Sequence, residues 1–531
     1  MGDPTSEDET QVLVVGDRPP PSSTFNDRRR DCLDILNQPF QWLRMLCKEL
    51  NPSFVVGVVL VYGLGQGFAG SFFRVVSDYY WKDVQKLQPS AVQMFMGFYY
   101  IPWIMKPIWG LLTDVFPMYG YRRRPYFIIS GAVGTVAALV LATHAGLTVA
   151  AALVCMVGIT GAMAVADVTI DACVAANSVE KPALAADMQS LCMFSSSAGA
   201  LAGYSSSGLL VRLLGAQVRR ASHARYLPLV HIGSLINLVI AGCAGVIALA
   251  ASVWIGLGFL IYEARPVRYR EKAKVMEKVG GALKGMARTI KRGRVWKPSL
   301  YIYLSLALSI STHEGQFYWY TDPKAGPAFS QEFVGMIYAI GALASIAGVL
   351  IYHKLLKDYP FRTLLFSAQL VYGLSGMLDL VFVLRWNLRL GLPDSFFVVF
   401  EQCTSHIVSK IRWMPMMVLS AKLCPPGIEG MFFALLMCID SLGGLSAKFG
   451  GGLALHWFHV TRTDFRNLWL VVFVRNLLRI ATLGLVFLVP MSDPSDVLLP
   501  SDLLVKAEKE YSKDEEGLQL TQTKGREAVY V

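Results

Sequence analysis

The chain has 531 residues, 54% hydrophobic and 16% charged, with a formal net charge of +11 and a mean hydropathy of +0.45. Soluble domains carry about 25% charged residues, so a soluble enzyme or a nucleic-acid-binding domain is a poor description of the main body. Its long apolar runs should be helices, because a bilayer offers no water to backbone groups, and the ten-residue alternation of a membrane barrel is absent.

Residues 1–50 form a polar tail with more acids than bases, expected to be solvated. It carries Pro19-Pro20-Pro21 rather than a basic start and an apolar core, so no signal peptide is expected. Twelve helices are predicted, over about 51–72, 89–115, 125–144, 147–176, 187–211, 229–262, 298–320, 331–352, 362–384, 393–422, 428–457 and 467–490. Each run is long enough for a bilayer core, which needs roughly 20 residues.

A basic stretch, 263–297, with 12 Lys/Arg against three acids, separates the sixth helix from the seventh. It reads as a cytoplasmic linker rather than a nucleic-acid surface. Val275, Val279, Leu283, Met286 and Ile290 suggest a helix lying on the membrane surface. The predicted organisation is thus a tail (1–50), a six-helix bundle (51–262), the linker (263–297), a second six-helix bundle (298–490) and a C-terminal tail (491–531). Both termini are expected to be cytoplasmic. That orientation rests on the linker, the tails and Arg122-Arg123-Arg124, while Arg219, Arg220 and Arg225 run against it.

The halves are alike. Glu180-Lys181-Pro182 and Asp187-Met188-Gln189 precede and open the fifth helix, as Pro425-Pro426-Gly427 and Glu429-Gly430 precede and open the eleventh. Each is a proline-bearing turn with an acid near the next N-terminus, where the helix dipole favours it. Duplicated six-helix halves indicate the major facilitator architecture.

Gly110-Leu111-Leu112-Thr113-Asp114, followed by Gly120-Tyr121-Arg122-Arg123-Arg124-Pro125, has the pattern of the signature between major facilitator helices 2 and 3. Gly110 permits close packing, and Asp114 with Arg122, Arg123 and Arg124 would form a latch made in one conformation and broken in another. The arginines alone also fit a positive-inside anchor. In the second half the stretch from Gly348 to Arg362 has Tyr352 where the acid would stand.

Lys106-Pro107-Ile108-Trp109-Gly110, with the motif just described, resembles the folate–biopterin transporter family. Asp167-Val168, Asp171-Ala172, Gln189-Ser190-Leu191, Pro426-Gly427, Glu429-Gly430 and Phe433-Ala434-Leu435 extend the resemblance over about residues 50–490. It implies a secondary transporter of folates or pterins. The family usually follows the second acid with a Glu–Arg-type pair and sets a basic residue before the fifth helix. This chain reads Val174-Ala175-Ala176-Asn177 and Ala185-Ala186-Asp187 instead.

Asp167 and Asp171 lie four residues apart, on one face of an apolar helix. A charge at that depth costs about 2.5–3.5 kcal/mol or more and is usually paired, cavity-facing or functional. A carboxylate can read the donor edge of a pterin, a flat ring wants an aromatic or guanidinium plane, and a glutamate tail wants Lys or Arg. Helices 1, 4, 7 and 10 line the cavity of the major facilitator fold. They offer Tyr62 and Gln66, then Asp167 and Asp171. From helix 7 come His313, Glu314, Gln316 and the aromatics Phe317 to Tyr320. Helix 10 adds Glu401, Lys410 and Arg412.

Counted back from Pro182 and Pro426, Asp167 matches residue 411 in depth, so Lys410 and Arg412 could face the acids as a clamp or gate. Alternatively Asp171 pairs with Arg122–Arg124. Lys106 could pair with an acid or snorkel, and Asp440 with Lys448, or Arg475 and Arg479, could serve intramembrane ion pairs. The substrate or proton candidates are therefore Asp167, Asp171, Glu314, Lys410 and Arg412.

No phosphate loop supports ATP-driven pumping. A carboxylate in apolar surroundings can carry a proton, so proton-coupled uptake through Asp167, Asp171 or Glu314 is one expectation and passive exchange the other. Nothing in the chain calls for a cofactor, a metal or a nucleic-acid partner. The nine cysteines are scattered, without metal spacing, and no nucleophile–base motif suggests an enzyme. A carrier of another small organic solute, or a transport-dead receptor or scaffold, are the alternatives.

Overall fold

The computed structural model describes residues 40–115, 118, 121, 123–144, 146–181, 184–223, 230–260, 280, 290–357, 359–423 and 429–491. The tails beyond them and nearly all of the basic linker lie outside the described residues, as does the surface helix expected there. The chain divides into two units, Met1–Val55 and Val56–Val531. The first contributes a helix over 40–49 and the start of the first long helix. Asn51 caps that start, its side-chain oxygen accepting from the Ser53 N–H at 3.0 Å, and Pro52 takes the first helical position.

The described residues hold helices and one isolated bridge, Met118 to Tyr121. The long helices are α1 (Pro52–Val84), α2 (Pro89–Phe98, Ile101–Ile104 and Lys106–Val115), α3 (Arg124–Thr143), α4 (Val149–Glu180), α5 (Ala185–His223) and α6 (Val230–Leu260). The second half contributes α7 (Gly293–Ala307 and His313–Tyr320), α8 (Gln331–Ile351), α9 (Phe361–Val383), α10 (Asp394–Lys422), α11 (Glu429–Trp457) and α12 (Leu468–Ala481). This is an all-α membrane architecture in two six-helix halves.

Seven of these helices, among the described residues, are long and apolar enough to cross a membrane by composition alone. Three of the others show why they are not among them. Pro102 and Pro107 break α2, α7 is interrupted over 308–312, and α10 carries Glu401, Lys410 and Arg412. On α3, Ile129, Val133, Val136 and Leu139 form a stripe 43–60% exposed. Such a face would be a liability in water and is at home against lipid.

Local chemistry sets the helix ends. Thr148 caps α4 by accepting from the Ala151 N–H at 3.3 Å, and Ser330 caps α8 by accepting from Phe333 at 3.2 Å. Arg385 adopts φ +59 and stops the chain after α9, and its guanidinium then meets Asp394 of α10 at 2.9 Å.

Within the first half α1 packs on α5, and α3 on α4 and α6. In the second, α10 packs on α8 and α9, α7 on α11 and α9 on α12. Across the halves α5 meets α8 and α2 meets α11. Small residues permit close crossings: a Cβ at Gly65 of α1 would lie 2.6 Å from the Trp254 ring of α6.

The middle of α1, Val59–Ala69, is π-helical. Tyr62, Gln66, Arg74 and Asp78 follow one another along α1 in multiples of four residues. In a regular α-helix, at about 100° per residue, positions 62 and 78 would stand about 160° apart. The π segment has more residues per turn and reduces that drift, so these polar side chains stay closer to one face.

Candidate functional site

The two acids of α4 have different settings. Asp167 is buried, 3% exposed, and forms an ion pair with Lys106 of α2 while accepting from the Gln66 amide of α1. The Lys106 ammonium also sits over the Trp103 ring, 4.8 Å from its centre. One turn on, Asp171 accepts from the Tyr62 hydroxyl. It is solvent-accessible although it lies deep among the helices. Three helices of the first half thus converge on this pair, and one carboxylate remains open to a ligand.

The cations of α10 do not meet those acids. Arg412 is buried and donates to the Ser305 carbonyl at 3.3 Å and the Gln369 side chain at 3.2 Å, with its guanidinium 4.4 Å from the Tyr372 ring centre. It is turned into the packing of its own half. Lys410, two residues away and so on another face of the helix, lies over Trp413 at 4.9 Å.

Arg475 of α12 forms an ion pair with Asp379 of α9, and it donates to Thr312 Oγ1 at 2.8 Å and Gln316 at 3.3 Å. Asp379 also accepts from Gln316 at 3.1 Å. The sequence points to Arg475 but not to Asp379, which sits in an otherwise apolar helix. Asp440 and Lys448 are eight residues apart, about 12 Å along a helix, and no ion pair joins them among the described residues.

A second charged cluster joins the halves. Asp78 of α1 is fully buried, and its Oδ2 lies 3.2 Å from His313 Nε2 of α7 and accepts from the Tyr338 hydroxyl of α8 at 3.4 Å. Arg74 brings a guanidinium nitrogen to 3.5 Å from the same imidazole nitrogen. Arg74 is accessible yet deep, like Asp171. Glu314 is fully buried, and its backbone N–H donates to Gln93 of α2 at 3.0 Å.

Asp78, His313 and Glu314 could hold a metal by ligand type, their donor atoms lying within 4.8 Å of one another. The Arg74 guanidinium beside the shared imidazole nitrogen opposes a further cation there.

The inter-half hydrogen bonds gather at one end. Besides this cluster, Lys82 donates to Thr321, Tyr318 to the Leu87 carbonyl at 3.1 Å, and the Arg462 N–H to Gln88 at 3.1 Å. All lie toward the α1–α2 and α7–α8 turns, and Asp167 and Asp171 lie beyond them toward the opposite end.

Of the expected latch, the Asp114 side chain and Arg122 lie outside the described residues. Arg124 donates to the Gly258 and Phe259 carbonyls at 2.8 and 2.6 Å, satisfying the end of α6 rather than meeting Asp171. A Cβ at Gly110 would meet Val168 at an ordinary 3.6 Å, so this conformation does not require a glycine there.

The BT1 family profile matches residues 66–502. The chain belongs to the BT1 family. It is 56% identical over 511 residues to the probable folate-biopterin transporter 6 of Arabidopsis thaliana, covering 94% of this chain and 97% of the relative. To the probable folate-biopterin transporter 2 of the same plant it is 46% identical, covering 91% and 92%. Its fold is similar to the crystal structure of the nucleoside transporter NupG, with a TM-score of 0.59 at 13% identity over 82% of this chain and 99% of that one. This BT1 family member is thus a multi-pass membrane transporter of major facilitator fold, as the resemblance in its motifs implied. Besides Asp379, the sequence reading left out Arg74 and Asp78. They fall beyond the predicted end of the first helix, and only its continuation to Val84 brings them into the bundle.

Proposed function

We propose that this BT1 family member is a secondary carrier of a folate- or pterin-type solute, working by alternating exposure of one site between the halves. The observation that supports it most is the pair of acids on α4. Asp171 is an accessible carboxylate held by Tyr62, able to accept from the donor edge of a pterin ring. Asp167, Lys106 and Gln66 form the rigid polar floor beside it. Lys410, with its ammonium over a Trp ring, is available to an acidic tail after a modest movement.

With both termini in the cytoplasm, the end closed by the Lys82, Tyr318 and Arg462 contacts is the outer one, and Asp171 is reached from the cytoplasm. The Gly110–Asp114 stretch and Arg122–Arg124 would act as the latch of the opposite state, and the domain order is tail, bundle, basic linker, bundle, tail. A proton gradient is the proposed energy source. The test is uptake into proteoliposomes of tritiated folic acid, biopterin and an unrelated sugar, with and without a pH gradient. Uptake of folic acid or biopterin that the sugar does not compete supports the reading. Transport of the sugar alone, or of none of the three, defeats it.

A further inference from the structure

We propose that Glu314 binds a proton when the seam between α1 and α7 is closed, and releases it when that seam parts. This rests on the carrier reading only for its use in transport. The binding itself follows from the geometry of the side chain.

Glu314 opens the second segment of α7 and is 0% exposed. Neither carboxyl oxygen has a hydrogen-bond partner, and neither touches solvent. The nearest basic atom, His313 Nε2, is 3.9 Å from Oε1, beyond hydrogen-bond reach, and is engaged by Asp78 and Arg74. A charged carboxylate left without donors in a dry interior is strongly disfavoured. A proton on one oxygen removes that charge with no added ligand.

The charged and titratable groups near Glu314 come from several elements. Arg74 and Asp78 come from α1, Tyr99 from α2, Lys448 from α11, and His313 and Tyr318 from its own helix. Tyr338 of α8 reaches the cluster through Asp78. None of them donates to it in this conformation.

The distribution of these charges explains how the seam can open. Arg74 and Asp78 sit one turn apart on α1, so the first half keeps an acid and a base of its own. Glu314 and Lys448 both belong to the second half. When α7 withdraws from α1, Asp78 loses His313 and turns to Arg74. Glu314 meets water, its O–H bond breaks, the proton passes to solvent on the opened side, and the carboxylate is left to Lys448. Closing the seam reverses the step and takes up one proton. In the open state each of these carboxylates has a cation in its own half.

The test uses the full chain in lipid with Glu314→Gln, a permanent mimic of the protonated form. Infrared difference spectra of wild type against this variant, near neutral pH, should contain the carbonyl stretch of a protonated carboxylic acid. Its absence overturns the proposal whatever the solute. In proteoliposomes exchange of tritiated folic acid by wild type should slow as the pH falls on the side to which the seam opens, because the proton favours the closed seam, and the variant should lose that pH dependence. A variant that keeps the wild-type pH dependence overturns the proposal. Wild type that exchanges no folate defeats the carrier reading instead, while the infrared band still decides on the proton.

Discussion

Lys106 of α2 reaches across to the carboxylate of Asp167 on α4, so the acid that the sequence marks most strongly is neutralised within its own half. Both side chains are largely buried, and breaking such a pair from one side costs about 3–5 kcal/mol. Lys106→Gln and Asp167→Asn should therefore each lower the unfolding midpoint in detergent and each abolish uptake. The double variant should regain most of the stability and none of the uptake. Recovery of uptake in the double variant would reduce the pair to a packing device.

Arg475 and Asp379 form the corresponding tie between α12 and α9, with side chains 4% and 8% exposed. Arg475→Leu leaves Asp379 buried without its cation and should cost about 3–5 kcal/mol. The surviving folded fraction should bind folate with unchanged affinity, measured by equilibrium dialysis. A weakened affinity would move this pair into the solute site.

The two cations of α10 should separate cleanly. Arg412→Met removes the donors to Ser305 and Gln369 and should lose about 1.5–3 kcal/mol of stability, the worth of hydrogen bonds to a charged group. Lys410→Met gives up mainly a ring contact and should change stability by no more than about 1 kcal/mol. Its cost should appear as a raised KM for folate. Thermal unfolding and an uptake titration on the same preparations check both.

Two glycines make opposite predictions. Gly65→Ala drives a methyl to within 2.6–2.9 Å of the Trp254 ring, and overpacking of that kind costs about 1–3 kcal/mol. Gly110→Ala meets only Val168 at contact distance and, by helix propensity, should be neutral or stabilising by up to about 1 kcal/mol. Slowed transport by a stable Gly110→Ala protein would place the close approach at Gly110 in the other conformation, as a latch requires.

The helices were legible because apolar runs punctuated by proline and charge are what a bilayer demands. The interruption of α7 was less so: Ser309, Ser311 and Thr312 are weaker helix formers, but no proline or glycine marks the break, and Ser311 gives its N–H to Ala447 of α11. The acids of α4 were visible as charges in an oily stretch, and Lys106 with Glu314 for the same reason. Arg74 and Asp78 were missed because the first apolar run was closed at about residue 72, before the polar positions Arg74, Ser77, Asp78, Lys82 and Asp83. The depth match between Asp167 and Lys410 or Arg412 did not translate into contact. Depth fixes height along the bundle and says nothing about rotation about each helix axis.

The interruption of α7 is tied to α11 by a backbone bond from the Ser311 N–H to the Ala447 carbonyl at 2.9 Å, and to α12 by the donation from Arg475 to Thr312. Lys448 is the next residue along α11, and His313 and Glu314 follow two and three positions after Ser311. The base and the acid of the second half are thus fixed to the two ends of one peptide clasp. α11 acts as the handle of that clasp: whatever tilts it carries both charges together, and the interrupted strap of α7 follows as a passenger.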